Sequence, residues 1–197
     1  MWVDLCPVAW AGCATNPRIM PSRYTSRLYP TLPMDQIAPM SDPLIVMLPD
    51  LAATEELGRQ LAAIARPGDC LLLEGPLGAG KTAFARAFLR AAADDPEMEV
   101  PSPSFTLVQI YDTNIGPVFH YDLWRLDGPD ALTELGWEDA LDGIVLAEWP
   151  DRLGPLRPAD ALTVTLRLGA GDAREARLSG WAARLPVREI VTIRSGD

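Results

Sequence analysis

Residues 71–82 read LLLEGPLGAGKT. An apolar run stops at an acid and gives way to glycines closed by Lys-Thr. With Cys70 in front, CLLLE has no polar residue at alternate positions, the pattern of a strand covered on both faces and therefore of a parallel sheet between helices. After the glycines, residues 81–93 place Phe84, Phe88 and Leu89 on one side of a helix. Buried strand, glycine loop and helix are thus adjacent in the chain, which constrains the fold to the α/β class.

From Gly75 to Thr82 the spelling is G-x-x-x-x-G-K-T, the P-loop spacing, and the flanking strand and helix are the context it requires. Gly75, Gly78 and Gly80 permit backbone conformations and close approaches that a Cβ would block, so successive N–H groups can converge on an anion. The helix start adds its positive dipole end. The expected nucleotide-binding set is Gly75, Leu77, Gly78, Ala79, Gly80, Lys81 and Thr82, with Lys81 reaching the β- and γ-phosphates and the Thr82 hydroxyl on Mg²⁺. The alternative is a plain glycine-rich turn.

Such a site also needs an acid at the tip of a neighbouring strand. Asp122 follows VFHY, and Glu148 follows IVLA. Glu148 has the more apolar strand. If both face Thr82, one holds the metal while the other orients the attacking water; either can instead be an ordinary strand-end carboxylate. Read alone, Trp124, Trp149 and the single histidine, His120, are structural. One histidine also excludes multi-histidine metal sites.

Composition narrows the function classes. The chain has 197 residues, 48% of them hydrophobic, and a formal charge of −10, which suits one globular domain. Residues 43–150 hold eighteen acids and six bases, a surface that repels phosphate backbones, so any nucleic-acid role is expected to run through a partner. Of seventeen bases only Lys81 is lysine, a compact cation at the one place where a point charge must reach phosphate. That count excludes the guanine-reading N-K-x-D pattern of GTPases, which needs a second lysine. Three cysteines, Cys6, Cys13 and Cys70, without C-x-x-C spacing give neither a disulfide framework nor a zinc site, and a reducing, cytoplasmic setting is expected. No apolar run is long enough for a membrane span.

Residues 1–42 lack periodicity and are expected to be disordered or an over-long gene start, the rival being a signal peptide with a faint lipoprotein box at Trp10-Ala11-Gly12-Cys13. The domain is expected over 43–185 and a tail over 186–197. Within the domain the patterns predict a strand at 44–48 and a helix from an N-cap at Thr54 to about Ala65, with Glu55 and Glu56 in its first turn. A hairpin of 105–112 and 117–122 follows, then a helix over 130–141 broken at Gly136. A strand over 143–148 comes next, and the last is an edge hairpin of 162–168 and 173–180.

Four ordered segments, GPLGAGKT (75–82), SPSFTLV (102–108), HYDLWRL (120–126) and LAEWP (146–150), resemble the small bacterial P-loop ATPase family TsaE, also called YjeE. The resemblance runs from about Leu44 to Gly180. It implies a three-layer α/β P-loop NTPase sandwich, its sheet mostly parallel with antiparallel edge hairpins. It also implies that Ser102, Ser104 and Thr106 lie on a switch-like loop near the γ-phosphate, that Asp122 and Glu148 are catalytic with Glu148 near Mg²⁺, and that Trp149 lies by the nucleotide. Ser104 stands where threonine is usual, Trp124 replaces a tyrosine, and Pro76 replaces an aspartate. The implied activity is slow Mg·ATP hydrolysis in support of the TsaD–TsaB pair, which makes threonylcarbamoyladenosine at position 37 of tRNA, so tRNA is met only through the complex. Two other readings stay open: a small-molecule kinase, although residues 83–130 offer only Arg86, Arg90 and Arg125 for a lid, and a nucleotide-responsive binding module without turnover.

Overall fold

The computed structural model describes residues 43–181, 183–185 and 190. The expectations for residues 1–42, and for the tail apart from Ile190, lie outside the described residues. In chain order the elements are β1 (Leu44–Leu48), α1 (Leu51–Ala62), β2 (Cys70–Glu74), α2 (Lys81–Ala93), β3 (Val108–Thr113) and β4 (Gly116–Asp122), followed by α3 (Asp130–Glu134), α4 (Trp137–Ala140), β5 (Ile144–Glu148), a 3₁₀ segment (Pro150–Leu156), β6 (Leu162–Leu168) and β7 (Arg174–Ser179).

All seven strands form one sheet in the order β1-β7-β6-β2-β5-β4-β3. The pairs β6–β2, β2–β5 and β5–β4 are parallel, and the pairs nearer the borders are antiparallel. β2 and β5, the apolar runs of the sequence, lie side by side in the middle. Their side chains alternate between two cores. Leu71, Leu73, Ile144 and Leu146 face α1 and α2, while Leu72, Val145 and Ala147 face the layer containing Trp137 and Leu132. The three-layer α/β expectation holds.

α2 spans 81–93 as its pattern predicts, and Phe84, Phe88 and Leu89 are fully buried. Each such side chain contributes roughly 1.5–3 kcal/mol through burial. α1 packs closely enough on α2 that a Cβ on Gly58 would stand 2.6 Å from the Phe84 carbonyl oxygen, which explains a glycine inside a helix. The loop before β2 is tied down by Arg184, which donates to both carboxylate oxygens of Asp69 at 2.7 and 2.6 Å.

Three expectations need correction. The α1 N-cap is Asp50, whose side chain accepts from Ala53 N at 2.8 Å, so Glu55 and Glu56 fall beyond the first turn. Thr54 is buried, its hydroxyl turned back onto the Asp50 carbonyl. β3 begins at Val108, because residues 104–106 form a turn. The hairpin of β6 and β7 is not the sheet border, since β1 pairs antiparallel outside it. Gly136, at φ 69°, separates α3 from α4 as expected. Among the described residues no helix is long and apolar enough to cross a membrane.

Candidate functional site

The parallel register brings the chemistry together at the carboxyl ends of the central strands, where open α/β sheets bind ligands. Glu148 pairs with Leu73 of β2 on one side and with Asp122 of β4 on the other. The glycine loop leaves β2 at the same height and runs into α2. Residues 66 positions apart therefore meet: the Thr82 hydroxyl donates to Oε2 of Glu148 at 3.1 Å.

The loop is shaped by its glycines. Gly75 has φ 140°, and a Cβ there would lie 2.4 Å from the Leu166 carbonyl oxygen. Gly80, at φ 106°, immediately precedes α2. Ala79 is buried under the loop, while Leu77 at its tip is 82% exposed.

Lys81 is buried. Its ammonium donates to the carbonyls of Gly75 and Pro76 at 2.8 and 2.9 Å, and lies 3.8 Å from the centre of the Trp149 ring. Burial lowers its pKa, and the Glu148 and Asp122 carboxylates oppose that shift. Trp149 reaches this position by adopting φ 60° and ψ 52°. The Trp149 ring also meets that of Trp124, ring centres 4.3 Å apart.

Asp122 serves the neighbouring loop. Its Oδ2 accepts from Ser104 at 2.5 Å and Ser102 at 3.3 Å, and its Oδ1 accepts from Trp124 N at 3.2 Å. Ser102 Oγ also lies 2.7 Å from Ser104 Oγ; with the Ser104 hydrogen given to Asp122, the single hydroxyl hydrogen of Ser102 is shared between Ser104 and Asp122. Among the described residues no hydrogen bond joins Asp122 to Thr82, so the two acids take separate partners. Beside them Phe105 is 85% exposed, under the Arg125 guanidinium.

Sequence reasoning gave His120 no role, yet its Nε2 lies 3.0 Å from Oε1 of Glu148. The available signal was its position two residues before Asp122, which puts both side chains on one face of a strand. Among the described residues no cluster of three or more His, Cys, Asp or Glu side chains can cage a metal. Thr82 and Glu148 nonetheless offer adjacent oxygens, and Mg²⁺ is normally held by one or two protein groups, water and substrate phosphate. The donor set fits that ion.

Residues 48–176 match the family model described as "Threonylcarbamoyl adenosine biosynthesis protein TsaE". The chain belongs to the TsaE family. One TsaE relative, the tRNA threonylcarbamoyladenosine biosynthesis protein of Rickettsia felis, is 38% identical over 116 residues, 58% of this chain and 67% of that protein. The Bacillus subtilis protein of the same name is 33% identical over 124 residues, 62% of this chain and 76% of that one. The crystal structure of Bacillus subtilis YdiB superposes with a TM-score of 0.59 at 26% identity, covering 81% of this chain and all of that one. The TsaE match takes in every site residue named above.

Proposed function

We propose that this chain binds Mg·ATP and hydrolyses it slowly in the cytoplasm, as the ATPase that supports threonylcarbamoylation of tRNA adenosine 37 by the TsaD–TsaB pair. The reading is carried by the contact of Thr82 with Glu148 beside a glycine loop whose lysine is the chain's only one. The names of the curated relatives supply the pathway, and the acidic middle of the chain suits a subunit that meets tRNA through others.

In this reading the loop amides and Lys81 bind the phosphates. Thr82 and Glu148 would hold Mg²⁺, which when bound neutralises charge on the phosphates. Asp122 orders the serine loop next to them, and Trp149 covers the lysine. A γ-phosphate contacted by that loop and released on hydrolysis would make a switch.

The test is titration with a fluorescent ATP analogue, alongside ADP release with and without TsaD–TsaB. Lys81→Ala is expected to weaken binding by at least about tenfold, the loss of a charged hydrogen bond. Glu148→Ala should bind but not hydrolyse. Wild-type affinity in Lys81→Ala would reject the site, and a phosphorylated small-molecule acceptor would make the protein a kinase.

A further inference from the structure

His120 is the chain's only histidine, and nothing in the proposed reaction uses it. It is fully buried on β4, on the same sheet face as Asp122 and Glu148. The two Glu148 oxygens are held by different partners, Oε1 by His120 Nε2 at 3.0 Å and Oε2 by the Thr82 hydroxyl at 3.1 Å. A carboxylate oxygen accepts, so Nε2 carries the hydrogen of this bond. Nδ1 is buried and has no hydrogen-bond partner among the described residues. Glu148 is therefore the ring's one hydrogen-bond partner among the described residues. The ring is oriented by the carboxylate.

We propose that His120 is a positioning residue, whose Nε2–H anchors Oε1 of Glu148 and so keeps Oε2 turned toward Thr82, where Mg²⁺ of the nucleotide would sit. This rests on the reading above. The terminal torsion of a glutamate is broad, so one anchored oxygen is what gives the other a fixed direction. Removing such an outer partner of a metal-holding group characteristically lowers metal affinity or activity by 10–100-fold.

The test compares three variants by thermal melting, by the Mg²⁺ dependence of fluorescent ATP-analogue binding, and by hydrolysis. His120→Gln keeps an amide donor near the position of Nε2; His120→Asn carries its donor too short to reach; His120→Phe fills the space without one. In the Phe and Asn variants the Mg²⁺ needed for half-saturation should rise about tenfold and kcat should fall by a similar factor. KM for ATP and metal-free binding should change little. His120→Gln should restore both. A wild-type Mg²⁺ response in the Asn or Phe variant, or a Gln variant as impaired as Asn, would overturn the proposal; if Phe does not fold, the Gln and Asn pair decides. A wild-type protein whose nucleotide binding ignores Mg²⁺ would remove the underlying reading instead, whereas a Mg²⁺-responsive wild type with three indifferent variants would remove only the role of His120.

Discussion

The Lys81 ammonium is held by its own loop, donating to the Gly75 and Pro76 carbonyls, with the Trp149 ring 3.8 Å away. A phosphate that takes Lys81 must compete with two carbonyls and disturb a cation–π contact worth about 0.5–2 kcal/mol. ATP should therefore change the tryptophan emission of the wild-type protein, and Trp149→Phe should lose most of that change. Unaltered emission at saturating ATP would mean that Lys81 stays where it is.

Trp149 also carries strain. It is a bulky residue in the left-handed region at φ 60°, a conformation costing about 1–2 kcal/mol for a residue with a Cβ. Trp149→Ala removes the ring and keeps the penalty, whereas Trp149→Gly removes both. The glycine variant is expected to be more stable by about 1 kcal/mol in denaturant melts. Equal stability would show that the surroundings do not impose this backbone conformation.

Much of this was legible because it is local or periodic. CLLLE and IVLAE announce central strands by having no polar face, and α2 announces its buried side through Phe84, Phe88 and Leu89. What escaped depends on pairing between distant segments. The place of β1 outside β7 is set by strand order, which hydropathy does not encode. The contact of His120 with Glu148 needs the parallel register of β4 with β5. The α1 cap escaped for a local reason: Asp50 and Thr54 are both good capping residues, and the packing of Leu57 and Leu61 leaves Thr54 inside the helix, with Asp50 free to meet Ala53.

The loop over residues 102–106 hangs on Asp122 through two serine hydroxyls. Each such bond contributes about 1 kcal/mol, or somewhat more to a charged acceptor. Asp122→Ala should speed hydrogen exchange of the Leu107 amide, which closes this loop onto the Pro103 carbonyl at 2.7 Å, by about tenfold, since 1.4 kcal/mol is a factor of ten. The exchange of β5 should not move. A Leu107 amide that exchanges as slowly without the carboxylate would show that its bond to Pro103 holds the loop without Asp122.

Two glycines of the phosphate loop separate conformational need from space. At Gly78, φ is 79° and a Cβ would meet nothing within 4 Å, so Gly78→Ala should cost only the backbone penalty of about 1 kcal/mol. At Gly75 the Cβ would stand 2.4 Å from the Leu166 carbonyl oxygen and 3.2 Å from the Ala79 Cβ. The carbonyl belongs to β6, pinned between β2 and β7, and cannot retreat without breaking ladder bonds. Gly75→Ala is therefore expected to lose about 3 kcal/mol, backbone strain and overpacking together, and to bind ATP analogues far more weakly than Gly78→Ala does. Thermal melts and the same fluorescence titration measure both. Equal losses at the two positions would mean that the loop shifts as a body, and that its close approach to β6 does not set its shape.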